Sequence, residues 1–175
     1  MGRRVDSGLS IGASGQLSID NYELMSVLSS QVAVGDLSLM DRKQLFARNI
    51  KNRTDIDSGD YFDVIAHGSK HAIEVYNNGK VLMVNWRRLA RMLKENRSHK
   101  IIRLFSCNTG NGEECFAQNL ANKLNRPVLA PTKYVFAWPN GKYFVRDGKK
   151  DKYGNIVPWG DYGEFKMFYP RRRRK

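Results

Sequence analysis

Asp63-Val64-Ile65-Ala66-His67-Gly68 and Ile101-Ile102-Arg103-Leu104-Phe105-Ser106-Cys107 decide how this chain reads. Each is a largely apolar run, rich in β-branched and aromatic residues, that ends on a reactive side chain. Runs of this length and composition predict buried strands, so His67 and Cys107 both emerge where a strand passes into a loop. In an open parallel sheet that edge is where ligands bind. The pair therefore reads as a cysteine nucleophile with a histidine partner.

Working outward, Asp57-Ser58-Gly59-Asp60 supplies a turn ahead of the first run. Between the runs, residues 72–76 and 81–84 flank Asn77-Asn78-Gly79-Lys80, where Asn-Gly provides the positive φ angles of a tight hairpin. Asn85 can cap a helix from Trp86 to about Glu95, with Trp86, Leu89, Met92 and Leu93 on one face and Arg87, Arg88, Arg91 and Lys94 mostly away from it. Past the second run come a loop over 108–112, a helix over 113–124 and a short buried strand over 127–130. Strand, helix, strand, helix in that order predicts a parallel sheet with right-handed crossovers. Further on, residues 134–138 and 143–146 form a hairpin around Pro139-Asn140-Gly141, followed by a Gly-rich and Lys-rich loop and a last strand over 164–169. Toward the N-terminus, residues 1–16 read as a flexible lead-in, Asp20-x-x-Glu23 as the capping box of a helix, and 38–49 as a second short helix. The expected organisation is a lead-in (1–16), one α/β domain (17–170, core 61–132) and a basic tail (171–175).

A length of 175 residues suits one domain. The two cysteines, Cys107 and Cys115, form no C-x-x-C, so neither a disulfide framework nor a four-ligand zinc site is expected, and reducing surroundings suit the chain. No apolar stretch approaches the ~18 residues of a membrane span, and neither a signal peptide nor a myristoylation motif is recognised. The formal charge is +13, with five positive charges in the run Arg171–Lys175. Such a field attracts nucleic acid, anionic lipid or acidic protein without naming which.

A cysteine attacks as thiolate, and an imidazole can take its proton and later protonate the leaving group. The Gly68 and Cys107 N–H groups are candidate oxyanion donors, Gly68 because the absence of a side chain lets substrate approach. Cys115 falls in a helical stripe beside Phe116 and is expected in the core. His71 would share a metal with His67 only on a helix, which Gly68 and the strand argue against, so no metal site is expected. His99 lies in a polar turn. Asp63 is four strand residues, roughly 13 Å, from His67, and no third catalytic residue is assigned. Arg87, Arg88, Arg91 and Lys94 are candidate anion ligands. Together with Lys142, Arg146, Lys149, Lys150 and Lys152, interleaved with Tyr143, Phe144 and Tyr153, they read either as a nucleic-acid surface or as a solvated face.

An apolar strand ending in His67-Gly68, then one ending in Ser106-Cys107, resembles the clan CD (caspase-like) cysteine peptidases. The branch it looks most like is the self-processing cysteine peptidase domains of bacterial MARTX and large clostridial toxins, with related toxin and effector domains. Residues 61–132 carry the likeness, above all Arg103-Leu104-Phe105-Ser106-Cys107-Asn108-Thr109-Gly110, Phe116-Ala117-Gln118-Asn119-Leu120-Ala121 and Val128-Leu129-Ala130-Pro131-Thr132. The resemblance implies a caspase-like sandwich with a mostly parallel central sheet flanked by helices, to which the C-terminal hairpin region is added. It also implies a His67 and Cys107 dyad acting on a protein substrate in a reducing cytosol, often that of a target cell into which the protein is secreted or delivered. No cofactor is implied beyond inositol hexakisphosphate, which activates the toxin peptidases through a basic surface. The region after Thr132 matches no peptidase motif. Two other readings stay open: a basic nucleic-acid-binding effector in which His67 and Cys107 are structural, and a Cys-His deamidase or acyltransferase.

Overall fold

The computed structural model describes residues 9–11, 17–19, 36–38, 45–55, 60–77, 79–94 and 101–171. Its elements run β1 (Leu9–Ile11), β2 (Leu17–Ile19), β3 (Asp36–Ser38), α1 (Leu45–Lys51), β4 (Tyr61–Ile65), β5 (Ile73–Asn77), β6 (Lys80–Val84) and α2 (Trp86–Lys94). They continue β7 (Ile101–Phe105), α3 (Phe116–Leu124), β8 (Val128–Pro131), β9 (Tyr134–Ala137), β10 (Tyr143–Lys150), β11 (Ile156–Tyr162) and β12 (Phe165–Phe168).

The result is a mixed α/β architecture. The main sheet has the order β12-β8-β7-β4-β3. Its β3, β4, β7 and β8 are mutually parallel, and β12 closes the far edge antiparallel to β8. Both quoted runs are central strands buried on two faces, which is why they are almost continuously apolar. Phe62, Val64, Ile102 and Leu104 turn to one face and pack against Leu89, Leu93, Phe116 and Leu120 of α2 and α3. Ile65 and Phe105 turn to the other, against Ile50 of α1 and Val135 and Val145 of β9 and β10. A second sheet, β11-β10-β9, thus covers that face together with α1.

Local chemistry fixes several elements where expected. Asn85 Oδ1 accepts the Arg88 N–H at 3.0 Å and starts α2, whose Leu89, Ala90, Met92 and Leu93 are buried. The β5 and β6 hairpin turns at Gly79, with φ +82. Asn125, with φ 52, ends α3 in the left-handed region and donates its N–H to the Ala121 carbonyl.

Other expectations are corrected. Ser38 does not open a helix: it belongs to β3, paired with Ile65, and the helix of that region is α1. Helix α3 begins at Phe116 rather than Glu113, because the Phe116 N–H is taken by the Lys70 carbonyl and the Ala117 N–H by that of Thr109, which hold the preceding loop outside the helix. The stretch expected as a loop after Arg146 is the rest of β10 and the whole of β11, paired with a register shift between Arg146 and Gly148. Its residues are mostly exposed, so no buried side sets an alternation to read. Part of the expected lead-in, β1, pairs with β2. The helix expected from Asp20 lies outside the described residues.

Candidate active site

Register brings the two reactive residues to one edge. Tyr61 faces Ile101 and Ile65 faces Phe105, and the Ala66 N–H carries the ladder one step on by donating to the Phe105 carbonyl at 3.2 Å. His67 and Cys107 each follow by two residues the end of one of these paired strands, at the same edge of the sheet. Cys107 packs against the Ile65 and Phe105 core. Gly68 closes the approach: a Cβ built there would lie 3.2 Å from the Cys107 carbonyl oxygen and overlap the Ser106 hydroxyl.

The loop after the cysteine is tied down on several sides. Asn108 takes φ 59, a left-handed conformation that asparagine tolerates, and turns the chain sharply just past the sulfur. Its N–H donates to the Lys133 carbonyl at 2.9 Å, the Gly110 N–H to Pro131 at 2.9 Å, and Thr109 Oγ1 to the Ser106 carbonyl at 2.7 Å. Cys107 Sγ in turn accepts the Val135 N–H at 3.4 Å. Burial pushes the thiol pKa above its ordinary value, and the N–H groups of Val135 and of Cys107 itself only partly oppose this. Burial thus favours the thiol form of Cys107 over the thiolate. Among the described residues, neither the Gly68 nor the Cys107 N–H donates to a backbone carbonyl.

The remaining candidates lie elsewhere. Cys115 is fully enclosed in the helix-side core. Ser69 Oγ accepts the N–H groups of His71 and Ala72 at 3.3 and 3.2 Å, so a tight turn rather than a helix separates His67 from His71. Arg87, Arg88, Arg91 and Lys94 belong to α2, whose core face lies across the main sheet from the one Cys107 packs against, and Arg87 stacks over Trp86 at 4.3 Å. His99 lies outside the described residues.

Asp63 holds a buried ion cluster that sequence reasoning missed. Its carboxylate takes Arg53 Nε at 2.9 Å and Arg103 Nε and Nη2 at 2.7 Å each. Arg103 Nη1 reaches Asp55 at 2.7 Å, and Asp55 accepts the Tyr143 hydroxyl. An open cleft of about 450 Å³ lies over this end, lined by Asp55, Tyr61, Arg103, Tyr143 and Phe165 among others. A signal was available: Asp63 and Arg103 interrupt the two apolar runs at the same offset that separates His67 from Cys107.

Gly68 and Ser106 give a testable coupling. Gly68→Ala forces a methyl group onto the Ser106 hydroxyl and is expected to destabilise by about 1–3 kcal/mol. Ser106 Oγ is buried with no hydrogen-bond partner among the described residues, so Ser106→Ala alone should be neutral or stabilising. The double variant should regain most of the loss in denaturant titrations, whereas additive losses would refute the contact.

A family model described as a domain of unknown function (DUF8616) matches residues 35–145, a segment that contains His67, Gly68 and Cys107. No curated protein and no solved structure matches the chain.

Proposed function

The chain belongs to the DUF8616 family, and we propose that it is a cysteine peptidase of the bacterial toxin or effector type. Cys107 is the nucleophile, His67 the general base and acid, and the Gly68 and Cys107 N–H groups the oxyanion donors. The observation that supports the reading is the parallel register that pairs Ile65 with Phe105, two residues before His67 and Cys107 respectively. The resemblance of residues 61–132 to caspase-like toxin peptidases supplies the substrate class, a polypeptide, and the setting, a reducing cytosol.

Cys107 Sγ bonds to the carbonyl carbon of the scissile peptide as its proton passes to His67. The carbonyl oxygen becomes an oxyanion that accepts from the two N–H groups; in other enzymes one such donor is worth about 3–4 kcal/mol. Collapse breaks the C–N bond, and His67 returns the proton to the leaving amine. Water, deprotonated by His67, then hydrolyses the thioester and restores the thiol.

Because burial favours the thiol form, its alkylation by iodoacetamide should rise with pH through a midpoint above the ordinary value of about 8.5. A midpoint well below that value would mean a preformed thiolate and overturn proton transfer concerted with attack. The reaction itself is tested by incubating the protein with denatured polypeptides and with an electrophilic peptide probe, followed by intact-mass analysis. Fragments, together with a probe adduct mapped to Cys107, are expected. A mass gain of about one dalton without fragments would make the enzyme a deamidase, and an adduct on Cys115 alone would remove the proposed nucleophile.

A further inference from the structure

We infer that the outward face of the β9, β10 and β11 sheet binds single-stranded nucleic acid by stacking its bases, at a site separate from Cys107 and independent of the peptidase reading. Val135 and Val145 point inward to the core, so alternation turns Tyr134, Phe136, Phe144 and Arg146 the other way. There the rings adjoin one another. Phe136 stacks on Phe144 at 5.5 Å and 26°, Trp138 lies 5.9 Å from Phe144, Tyr134 lies 6.4 Å from Phe136, and Tyr162 of the neighbouring strand lies 6.4 Å from Phe144. The Arg146 guanidinium sits over Tyr162 at 4.7 Å while its Nε donates to the Gly160 carbonyl.

This face is built and left open. At Gly148 a Cβ would come within 2.9 Å of the Tyr134 ring and 2.6 Å of Ile156, so the missing side chain lets Tyr134 lie across β10 and extend the platform. Trp138 is 57% and Tyr162 70% exposed, an unusual outlay of aromatic surface to water. Cations accompany these strands: residues 133–162 hold six Lys and Arg against three Asp. Flat rings interleaved with cations match unpaired bases joined by phosphates. An acidic polypeptide would meet the cations but give the rings nothing to stack on, and duplex DNA keeps its bases stacked inside.

The test is fluorescence anisotropy with the full chain and labelled oligomers: twelve-residue dT, twelve-residue rU, an abasic deoxyribose phosphate strand of equal length, and a duplex. Both single strands should bind, with the abasic strand and the duplex at least tenfold weaker. Trp138→Ala and Tyr162→Ala, both exposed, should each weaken dT binding by about tenfold with an unchanged slope of log affinity against log salt. Arg146→Gln should lower that slope by about one phosphate contact. Cys107→Ala should leave binding unchanged. Equal binding of abasic strand and dT, or equally effective competition by polyglutamate, would overturn the proposal, the latter in favour of an acidic protein partner. Preference for rU or dT then identifies the natural strand as RNA or DNA.

Discussion

Cys107→Ala is expected to abolish both peptide cleavage and capture by an electrophilic peptide, and His67→Ala to lower kcat/KM by about 10²–10⁴-fold. Burial gives these effects their size. A solvent-exposed thiol near its ordinary pKa keeps a small thiolate fraction at neutral pH, but burial raises the Cys107 pKa and reduces that fraction further. Without an imidazole to take the proton during attack, little nucleophile remains. The loss should fall on kcat, because in the proposed mechanism His67 moves a proton rather than holding substrate. Denaturant midpoints of both variants should stay close to that of the parent, and single-turnover kinetics with a peptide ester would locate the defect in acylation. A His67→Ala variant that cleaves at the parental rate would remove the dyad, whatever Cys107 does.

Asp63→Ala is expected to destabilise the fold by about 3–5 kcal/mol, a large share of the total stability of a domain this size. The carboxylate is 2% exposed and lies between two guanidinium groups, those of Arg53 and Arg103, which are themselves almost wholly enclosed. Removing it leaves two buried like charges facing each other across the gap. Asp63→Asn keeps the shape and one acceptor, so its loss should be smaller but of the same sign. Asp55 differs. Burial alone would raise its carboxyl pKa, but the bond from Tyr143 and the charge of Arg103 outweigh burial and hold it lowered. Its contribution is thus present above the unfolded carboxyl pKa of about 4 and is lost as pH falls through the lower folded value. Asp55 is also half exposed, so Asp55→Asn should cost little at pH 7, and that small loss should disappear as pH falls through the acid limb. Equal losses for Asp63→Ala and Asp55→Asn at neutral pH would contradict the cluster's geometry.

The fold and the site were legible to different depths. Central strands β4 and β7 announce themselves because burial on two faces demands largely apolar runs, and both run out at the sheet edge two residues before His67 and Cys107. Asn85 and the Asn78-Gly79 pair name their elements because cap and turn chemistry is local. The Asp63 cluster was not read: the shared offset links Asp63 with Arg103, but Arg53, Asp55 and Tyr143 join them only through tertiary contact. Strand β11 was missed for the opposite reason. Its register is set by pairing with β10 rather than by a buried face of its own. Resting thiol chemistry was also hidden, because a sequence shows that a cysteine follows a strand but not that β9 folds over it.

Strand β12 bears on where this domain can be cut. It pairs along β8 from Phe165 opposite Pro131 to Phe168 opposite Val128, and the chain beyond is fastened to α3 where Gln118 Nε2 donates to the Tyr169 carbonyl at 2.8 Å and the Arg171 N–H reaches Asn122 at 2.8 Å. A fragment trimmed at Val145, where the family match stops, would strip this hem and leave the β8 backbone bare along a flat, apolar border. Borders of that kind recruit strands from other molecules. A fragment meant to fold alone should therefore be expected to need residues to about Arg171, well past the segment that marks its kinship.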